Sequence, residues 1–269
     1  MGWMVKRKLS ASALNLFLRS PRAYYWRYVA RLDPVMQSVS TFDHDKIVGI
    51  LWAAFVERFY QGMEEAENLS RMLNAFNEQT QGWVPTKVHA RLTEAMSAWS
   101  QAYYAQFSAD DGVRLMSEAF VENDRYLGYL DGLSADGIIH EVKTTSRGSQ
   151  ISEQLWKVQN SIQVKLYCVL TKAKGIRIEF AYKDTPYGIY RSEIAPVTPE
   201  QLAAWEQELN ALADTIWALG DDIHNYPCHP DGCCITSKNM TSMCVYQSLC
   251  DMGLTSETEM LYREKTHRK

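Results

Sequence analysis

Apolar residues recur at intervals of three and four along the first part of the chain, the spacing that gathers them on one face of a helix. The first such stretch begins at Ser10, where Ser10 or Ser12 can cap the helix. Further helices are predicted over Lys46–Gln61 and over 65–107, with a break near Gly82 and Pro85. The pattern therefore predicts a helical lobe over residues 1–110.

Beyond this lobe the pattern changes to short, partly alternating segments that are typical of strands. Strands are predicted over Arg114–Glu122, Tyr126–Ser134, Ile138–Thr144, Ile176–Lys183 and Gly188–Ile194. The first three form a predicted β-meander. Residues 150–174 return to helical spacing, and Thr198 is predicted to cap a helix that runs to about His224. This order predicts an α/β fold with a central sheet flanked by helices.

Composition and charge change this picture little. Hydrophobic residues make up 46% of the chain, charged residues 22%, and the net charge is −4, as in an ordinary globular protein. Residues 1–32, however, hold seven basic side chains and no acidic ones. Arg19, Arg22 and Arg27 are candidates for binding DNA phosphates, the alternative being a solvated helix surface. The aromatic residues among them either stack on bases or face the core; they are Tyr24, Tyr25, Trp26 and Tyr28.

The longest apolar run, Ile47–Val56, is too short for a membrane span, which needs about 20 residues. No apolar run long enough for a signal peptide follows the first basic residues. We therefore expect a soluble, cytoplasmic protein with no membrane partner. The chain also lacks the Walker, H-E-x-x-H and G-x-S-x-G motifs, which excludes a motor ATPase and the common protease and esterase classes.

The segment G-Y-L-D-G-L-S-A-D-G-I-I-H-E-V-K-T-T carries the candidate chemistry. Asp131 is predicted on one strand, and Glu141 and Lys143 share a face of the next, after a tight turn at 135–137. Two converging carboxylates favour a cation between them, and hard oxygen ligands suit Mg²⁺ or Mn²⁺. Such a site predicts phosphodiester hydrolysis, with Lys143 orienting water or neutralising charge on the phosphate. The alternative is a set of weak surface salt bridges.

Five of the six cysteines lie in one short segment near the end of the chain, a distribution that favours a metal site over a disulfide framework. They are Cys228, Cys233, Cys234, Cys244 and Cys250. Four thiolates suit a 4Fe–4S cluster or a tetrahedral Zn²⁺, which would tie the C-terminal segment to the domain. The alternative is a group of reduced, partly buried cysteines without metal.

The ordered motifs resemble the PD-(D/E)XK nuclease superfamily, in particular the branch of the RecB and AddB nuclease domains and the CRISPR adaptation nuclease. The resemblance spans roughly residues 10–250. The motifs are Ser10–Ser12 with Ser20-Pro21, the helix Gly49–Glu57, Gly128–Asp131, Glu141–Thr144, Gln163 with Tyr167, and the final cysteines.

The resemblance implies a restriction-endonuclease-like mixed sheet and assigns roles to its residues. Asp131, Glu141 and the Val142 carbonyl would bind Mg²⁺ or Mn²⁺, and Lys143 would be the catalytic lysine. Gln163 and Tyr167 lie four residues apart on a helix and would face the active site and hold DNA; the alternative is a tyrosine packed against the sheet. Glu57 is grouped with the catalytic residues.

Two positions depart from the family pattern. Ala53 stands where relatives have a metal-binding histidine in the first helix. Ser20 stands where iron–sulfur relatives have their first cysteine, although Cys244–Cys250 fits their closing motif. The alanine at position 53 removes a metal ligand. The serine at position 20 leaves Zn²⁺ as an alternative to the iron–sulfur cluster.

These observations predict one nuclease domain divided into a helical lobe (1–110), a catalytic core (111–225), a cysteine-rich metal module (226–252) and a tail (253–269). The predicted activity is metal-dependent DNA cleavage, by an exonuclease acting on single strands or duplex ends in recombination, repair or phage DNA processing. A recombination or replication protein is an expected partner, in a bacterial or phage-infected cell. The alternatives are an inactive nuclease fold that binds DNA or assembles complexes, which Ala53 favours, and a zinc-stabilised interaction module.

Overall fold

The computed structural model describes residues 7–34, 43–80, 84–107, 119–146, 150–227, 246–252, 254–255, 258 and 261–264. The chain forms two compact units. One comprises Met1–Ser40 with Gln207–Lys269, and the other comprises Thr41–Glu206. No helix among the described residues is long and apolar enough to cross a membrane.

Three helices open the Thr41–Glu206 unit and pack on an aromatic core: α3 (Asp43–Tyr60), α4 (Glu65–Thr80) and α5 (Thr86–Gln106). Trp52 and Trp99 meet edge to face, with ring centroids 5.4 Å apart, and both are almost fully buried. The indole nitrogen of Trp99 donates to the carbonyl of Tyr182 at 2.9 Å, which fixes α5 to the sheet. The helices predicted over Lys46–Gln61 and over 65–107, with a break near Gly82 and Pro85, are confirmed.

The central sheet contains β4 (Gly132–Leu133), β5 (Ile138–Thr145), β6 (Gly175–Tyr182), β7 (Gly188–Arg191) and β8 (Ala195–Pro196). Its order is β4-β5-β6-β7, with β8 also paired to β6. Strands β5 and β6 are parallel and the other pairs antiparallel. Helices α6 (Ile151–Gln159) and α7 (Ile162–Thr171) make the crossover that a parallel pair requires. The expected α/β fold with a mixed sheet flanked by helices is confirmed.

The second strand of the predicted β-meander, Tyr126–Ser134, is divided in two, and its halves join different sheets. Among the described residues, strands β2 (Ala119–Glu122) and β3 (Leu127–Leu130) pair with each other in a separate two-stranded sheet. Asp131, expected on a strand, lies on a bend between β3 and β4. The reason is that β3 and β4 belong to different sheets, so the chain must turn between them. Part of the first predicted strand, 114–118, lies outside the described residues.

The other unit begins with α1 (Ala11–Arg19), α2 (Pro21–Tyr24) and a π-helical turn at Tyr25–Val29. Ser10 caps α1 by accepting a hydrogen bond from the Ala13 amide at 3.2 Å, and Ser20 caps α2 in the same way. Helix α8 (Pro199–Ala218) belongs partly to each unit and begins, as predicted, after a Thr198 cap. It ends at Ala218, earlier than the predicted end near His224. Gly220 then adopts a positive φ of 66°, and a short 3₁₀ turn follows at Ile223–Asn225.

The segment predicted as a tail, 253–269, contributes a strand. β9 (Tyr262–Glu264) pairs antiparallel with β1 (Leu32–Pro34), and α9 (Gln247–Met252) precedes it. Tyr246 and Tyr262 stack with centroids 5.9 Å apart, and the Tyr246 hydroxyl donates to the Leu32 carbonyl at 2.9 Å. Strands of three residues are too short to show an alternating pattern, so the sequence did not reveal this pairing.

Removing the Phe76 ring tests the helical core. Phe76 is fully buried, so Phe76→Ala leaves a cavity and we expect it to lower the free energy of unfolding by about 3–5 kcal/mol. Urea denaturation of both proteins measures the change. Glu78→Ala, at an exposed position of the same helix, is the matched control and should change the stability by less than about 0.5 kcal/mol. Equal effects of the two substitutions would contradict this core assignment.

Candidate active site

The site forms where one edge of β5 becomes open. Strand β4 pairs only with the first half of β5, opposite Ile139 and His140. Backbone groups of alternate residues point to this edge, so the N–H and C=O of Val142 both lie on it. The Val142 N–H donates to Oδ2 of Asp131 at 3.0 Å, which means that the Asp131 side chain extends the ladder just ahead of Gly132, the first residue of β4. The Val142 carbonyl is left facing the same edge.

Glu141 and Lys143 share a face of β5, as predicted, and their side chains are in contact. The Lys143 ammonium forms an ion pair with Oε1 of Glu141. Glu141 is completely buried, whereas the Lys143 side chain is 36% exposed. Oε2 of Glu141 has no hydrogen-bond partner among the described residues. A buried carboxylate oxygen without a partner is costly, so it marks a place where a ligand would be stabilised.

Burial and the neighbouring charge of Asp131 raise the pKa of Glu141 to about 7, although Lys143 opposes the shift. Burial lowers the pKa of Lys143, but the charges of Glu141 and Asp131 outweigh it, so the pKa of this lysine is raised. Lys143 is therefore protonated at neutral pH. One ammonium group faces two carboxyl groups. When both carboxyl groups are ionised, a further positive charge would be stabilised at the site.

Tyr167 reaches this site from α7. Its ring is buried, and its hydroxyl is hydrogen-bonded to the backbone of Tyr129. Burial, Glu141 and Asp131 together raise the pKa of Tyr167 to about 12, so the hydroxyl stays protonated at neutral pH. Gln163 lies one turn earlier on α7, half-buried.

Gly128 explains how the Tyr167 ring comes so close to β3. A Cβ at this position would lie 2.4 Å from Cε1 of Tyr167, far inside van der Waals contact. Any side chain at residue 128 would displace the ring. The glycine of the Gly128–Asp131 motif therefore has a packing reason: it lets α7 close over the strand that leads to Asp131.

A cavity of about 330 Å³ opens beside these residues. Helix α3 forms one wall, and Asp131 with the end of β5 forms the other. The lining residues are Lys46, Gly49, Ile50, Ala53, Ala54, Asp131, Val142, Lys143 and Thr144. The structure thus adds Lys46, which sequence reasoning missed. The helical spacing of 46, 49, 50 and 53, which places all four on one face, was the signal that could have found it.

The donors at the site fit a divalent cation of the Mg²⁺ type. Asp131, Glu141 and the Val142 carbonyl offer hard oxygens, and Mg²⁺ commonly binds through one or two carboxylates and keeps several waters. Within the described part of the chain, no group of three or more His, Cys, Asp or Glu residues could hold a metal ion. Ala53, where the sequence resemblance implies a histidine, lines the cavity.

The remaining predicted residues are not among those that line this cavity. Glu57 follows Ala53 by one turn on α3, and its Oε1 accepts a hydrogen bond from Gln61 at 3.0 Å. Arg19 is exposed on α1, and Arg22 and Arg27 are half-buried in the other unit. Among the four N-terminal aromatics the core-facing alternative is confirmed for two of them, Tyr24 and Trp26, which are buried.

The cysteine prediction falls largely outside the described residues. Cys228, Cys233, Cys234 and Cys244 are not among them. Cys250 is half-buried in α9. The predicted iron–sulfur or zinc site therefore stays a prediction.

A mixed α/β sheet with Asp131 and Glu141-x-Lys143 at one edge is the arrangement that the sequence resemblance led us to expect. Comparison with family models matches residues 8–251 to the PD-(D/E)XK nuclease superfamily. Because the match spans most of the chain, the protein belongs to this superfamily, whose members typically use Mg²⁺.

Comparison with curated proteins gives no match. Among solved structures, one described as a "Putative exonuclease" from Eubacterium rectale is similar, with a TM-score of 0.48 and 15% sequence identity. The similarity covers 80% of this chain and 82% of that one.

The close approach at Gly128 gives a double-mutant test. We expect Gly128→Ala to lower the free energy of unfolding by about 1–3 kcal/mol, because the new methyl group overlaps the Tyr167 ring. In a Tyr167→Ala background the same change should cost almost nothing, because the ring is gone. Urea denaturation of the four proteins measures the coupling. Additive effects would show that the ring does not pack on Gly128.

The raised pKa of Glu141 predicts pH-dependent metal binding. A cation binds the ionised carboxylate, and a pKa of about 7 means that the ionised fraction grows as the pH rises from 6 to 8. Mn²⁺ affinity, measured by calorimetry, should therefore increase roughly tenfold over this interval. Glu141→Gln should bind Mn²⁺ more weakly and lose the dependence. An affinity independent of pH in the wild-type protein would contradict the assignment.

Proposed function

We propose that this protein is a divalent-metal-dependent deoxyribonuclease that hydrolyses phosphodiester bonds, as an exonuclease on single strands or duplex ends. The observation that carries the proposal is the buried Glu141 carboxylate, with Oε2 unpartnered among the described residues, beside Asp131 and Lys143 at an open cavity. Membership of the nuclease superfamily supports the class of reaction.

Each residue of the site would have its own role in such a reaction. A divalent cation bound by Asp131, Glu141 and the Val142 carbonyl would polarise a phosphoryl oxygen and lower the pKa of a bound water. Lys143 carries a proton that the two carboxylates hold in place, so it can neutralise charge that develops on the phosphate or orient the attacking water. Tyr167, protonated and tied to the Tyr129 backbone, is suited to positioning the DNA chain.

Lys46 adds a second positive charge to the cavity wall, on an exposed part of α3. A lysine at this place can hold a phosphate of the substrate without touching the reacting atoms. Gln163 and Glu57 remain candidates from the family resemblance, as do the basic residues of the other unit for DNA binding. We further propose that the substrates belong to recombination, repair or phage DNA processing, where a recombination or replication protein would be the partner.

A second candidate function follows from Ala53. The cavity contains a methyl group where the resemblance leads us to expect a metal-binding histidine. Loss of that ligand favours a protein with weakened or no catalysis that binds DNA or assembles a complex. For both candidates we propose a structural metal at the cysteine segment, and measurement of iron and zinc content distinguishes a 4Fe–4S cluster from Zn²⁺.

Lys143→Ala separates the two candidates. We expect the substitution to reduce Mn²⁺-dependent degradation of end-labelled DNA at least about 100-fold, because it removes the charge that stabilises the transition state. Binding of the same DNA, followed by fluorescence anisotropy, should change little. Lys157→Ala, at an exposed lysine on α6, is the control and should retain activity.

Two results would count against the enzyme. Wild-type protein that cuts no DNA or RNA substrate with any divalent metal would leave the binding candidate. Full activity of Lys143→Ala would show that cleavage, if present, does not use this site.

A further inference from the structure

The ribbon formed by β2 and β3 presents two large aromatic rings to solvent. Phe120 and Tyr129 are direct cross-strand partners, and their ring centroids lie 5.2 Å apart. Phe120 is 51% exposed and Tyr129 is 56% exposed. The alternate residues of β3, Gly128 and Leu130, are buried, so the two rings lie on the outer face of the ribbon. We call these two side chains the ring pair.

Single exposed apolar residues are common on protein surfaces and need no explanation. The ring pair differs because two neighbouring rings are held together on a fixed backbone. The Gly128 contact seats β3 against Tyr167, and the Tyr167 hydroxyl is hydrogen-bonded to the backbone of Tyr129 itself. The strand that carries the ring pair is therefore held by the same helix that closes over the candidate site.

The ring pair is also close to that site along the chain. Asp131 follows Tyr129 by two residues, a path of roughly 7 Å in extended backbone. The acidic Glu122 lies at the opposite end of the ribbon, paired with Leu127, whereas Ala119 and Leu130 form the end next to Asp131. Lys46, which can hold a phosphate of the substrate, lines the cavity on the far side of Asp131.

We propose that the ring pair is a stacking site for unpaired nucleobases of the DNA strand whose backbone enters the cavity. The proposal rests on the proposed function and names its substrate class, a single strand or a frayed duplex end. Aromatic side chains stack on any base, since every base has a π-face, while lysines bind the phosphates. In an intact duplex the base faces are already occupied by their neighbours. The ring pair would therefore favour single-stranded over double-stranded DNA.

The test combines removal of the rings with removal of bases from the DNA. Binding is measured by fluorescence anisotropy with Ca²⁺ or without metal, so that cleavage plays no part in it. The Phe120→Ala/Tyr129→Ala double variant should bind a single-stranded oligonucleotide at least about tenfold more weakly than wild type, and duplex DNA about equally well. Tyr129→Phe, which keeps the ring, should bind like wild type. Trp156→Ala, at a 65% exposed residue on α6, is the matched control and should also be unchanged.

Abasic sites then identify stacking rather than a folding defect. An oligonucleotide with an abasic site at each position in turn should lose affinity for the wild-type protein at one or two positions and at none for the double variant. A 2-aminopurine at those positions should be quenched by wild type only. Equal loss of single- and double-stranded binding in the double variant, or no abasic-sensitive position in wild type, would overturn the proposal.

Three further outcomes can be distinguished. A concentration-dependent dimer that the double variant abolishes would show that the ring pair is a protein interface instead, which also overturns the inference. Base stacking in a protein that cuts no DNA would support the ring pair while contradicting the proposed nuclease activity. Cleavage by the wild-type protein, with DNA binding unchanged in the double variant, would support the proposed nuclease activity and overturn the ring pair as a stacking site.

Discussion

Glu141 is a carboxylate with no access to water, and the surrounding residues are arranged around that constraint. An ionised group in such a position is stable only when it is paired or when it binds a cation. Lys143 pairs with one oxygen, and the other has no hydrogen-bond partner among the described residues. Asp131 brings a second negative charge to the same place because its side chain accepts a hydrogen bond from the neighbouring Val142 amide. This arrangement supports the proposed cation site.

The fold meets this constraint by starting one strand late and closing two helices over the exposed edge. Strand β4 begins only at Gly132, opposite His140, which leaves the edge of β5 beyond His140 free for Asp131 and for the Val142 carbonyl. Tyr167 on α7 covers one side, at a distance that only Gly128 permits. Helix α3 forms the wall of the cavity on the other side. Ala53 on that wall leaves fewer protein ligands than the family resemblance implies, so water would complete the coordination of a bound cation.

The sequence predicted the components of the site better than their setting. The spacing of Glu141 and Lys143 placed both on one face of a strand, because the alternation of side chains in a strand does not depend on tertiary structure. The bend at Asp131 was not predictable, since it arises only because β3 and β4 join different sheets.

Long-range pairing limited the prediction elsewhere as well. The partnership of β1 and β9 joins segments at opposite ends of the chain and leaves no local pattern. Lys46 lies at helical spacing from Gly49 and Ala53, but the sequence does not show that this face of the helix lines a cavity. Phe120 and Tyr129 belong to two predicted strands, and their exposure on a shared face depends on the register of the ribbon.

The proposed metal site is tested by the position of Mn²⁺ in crystals soaked with the metal, determined by anomalous diffraction. We expect one strong peak within about 2.5 Å of oxygens from Asp131, Glu141 and the Val142 carbonyl. Lys143 would then turn its ammonium toward the cavity and away from Oε1 of Glu141. Crystals that show no peak at this edge of β5 at saturating Mn²⁺, with Glu141 still paired only to Lys143, would contradict the proposed metal site.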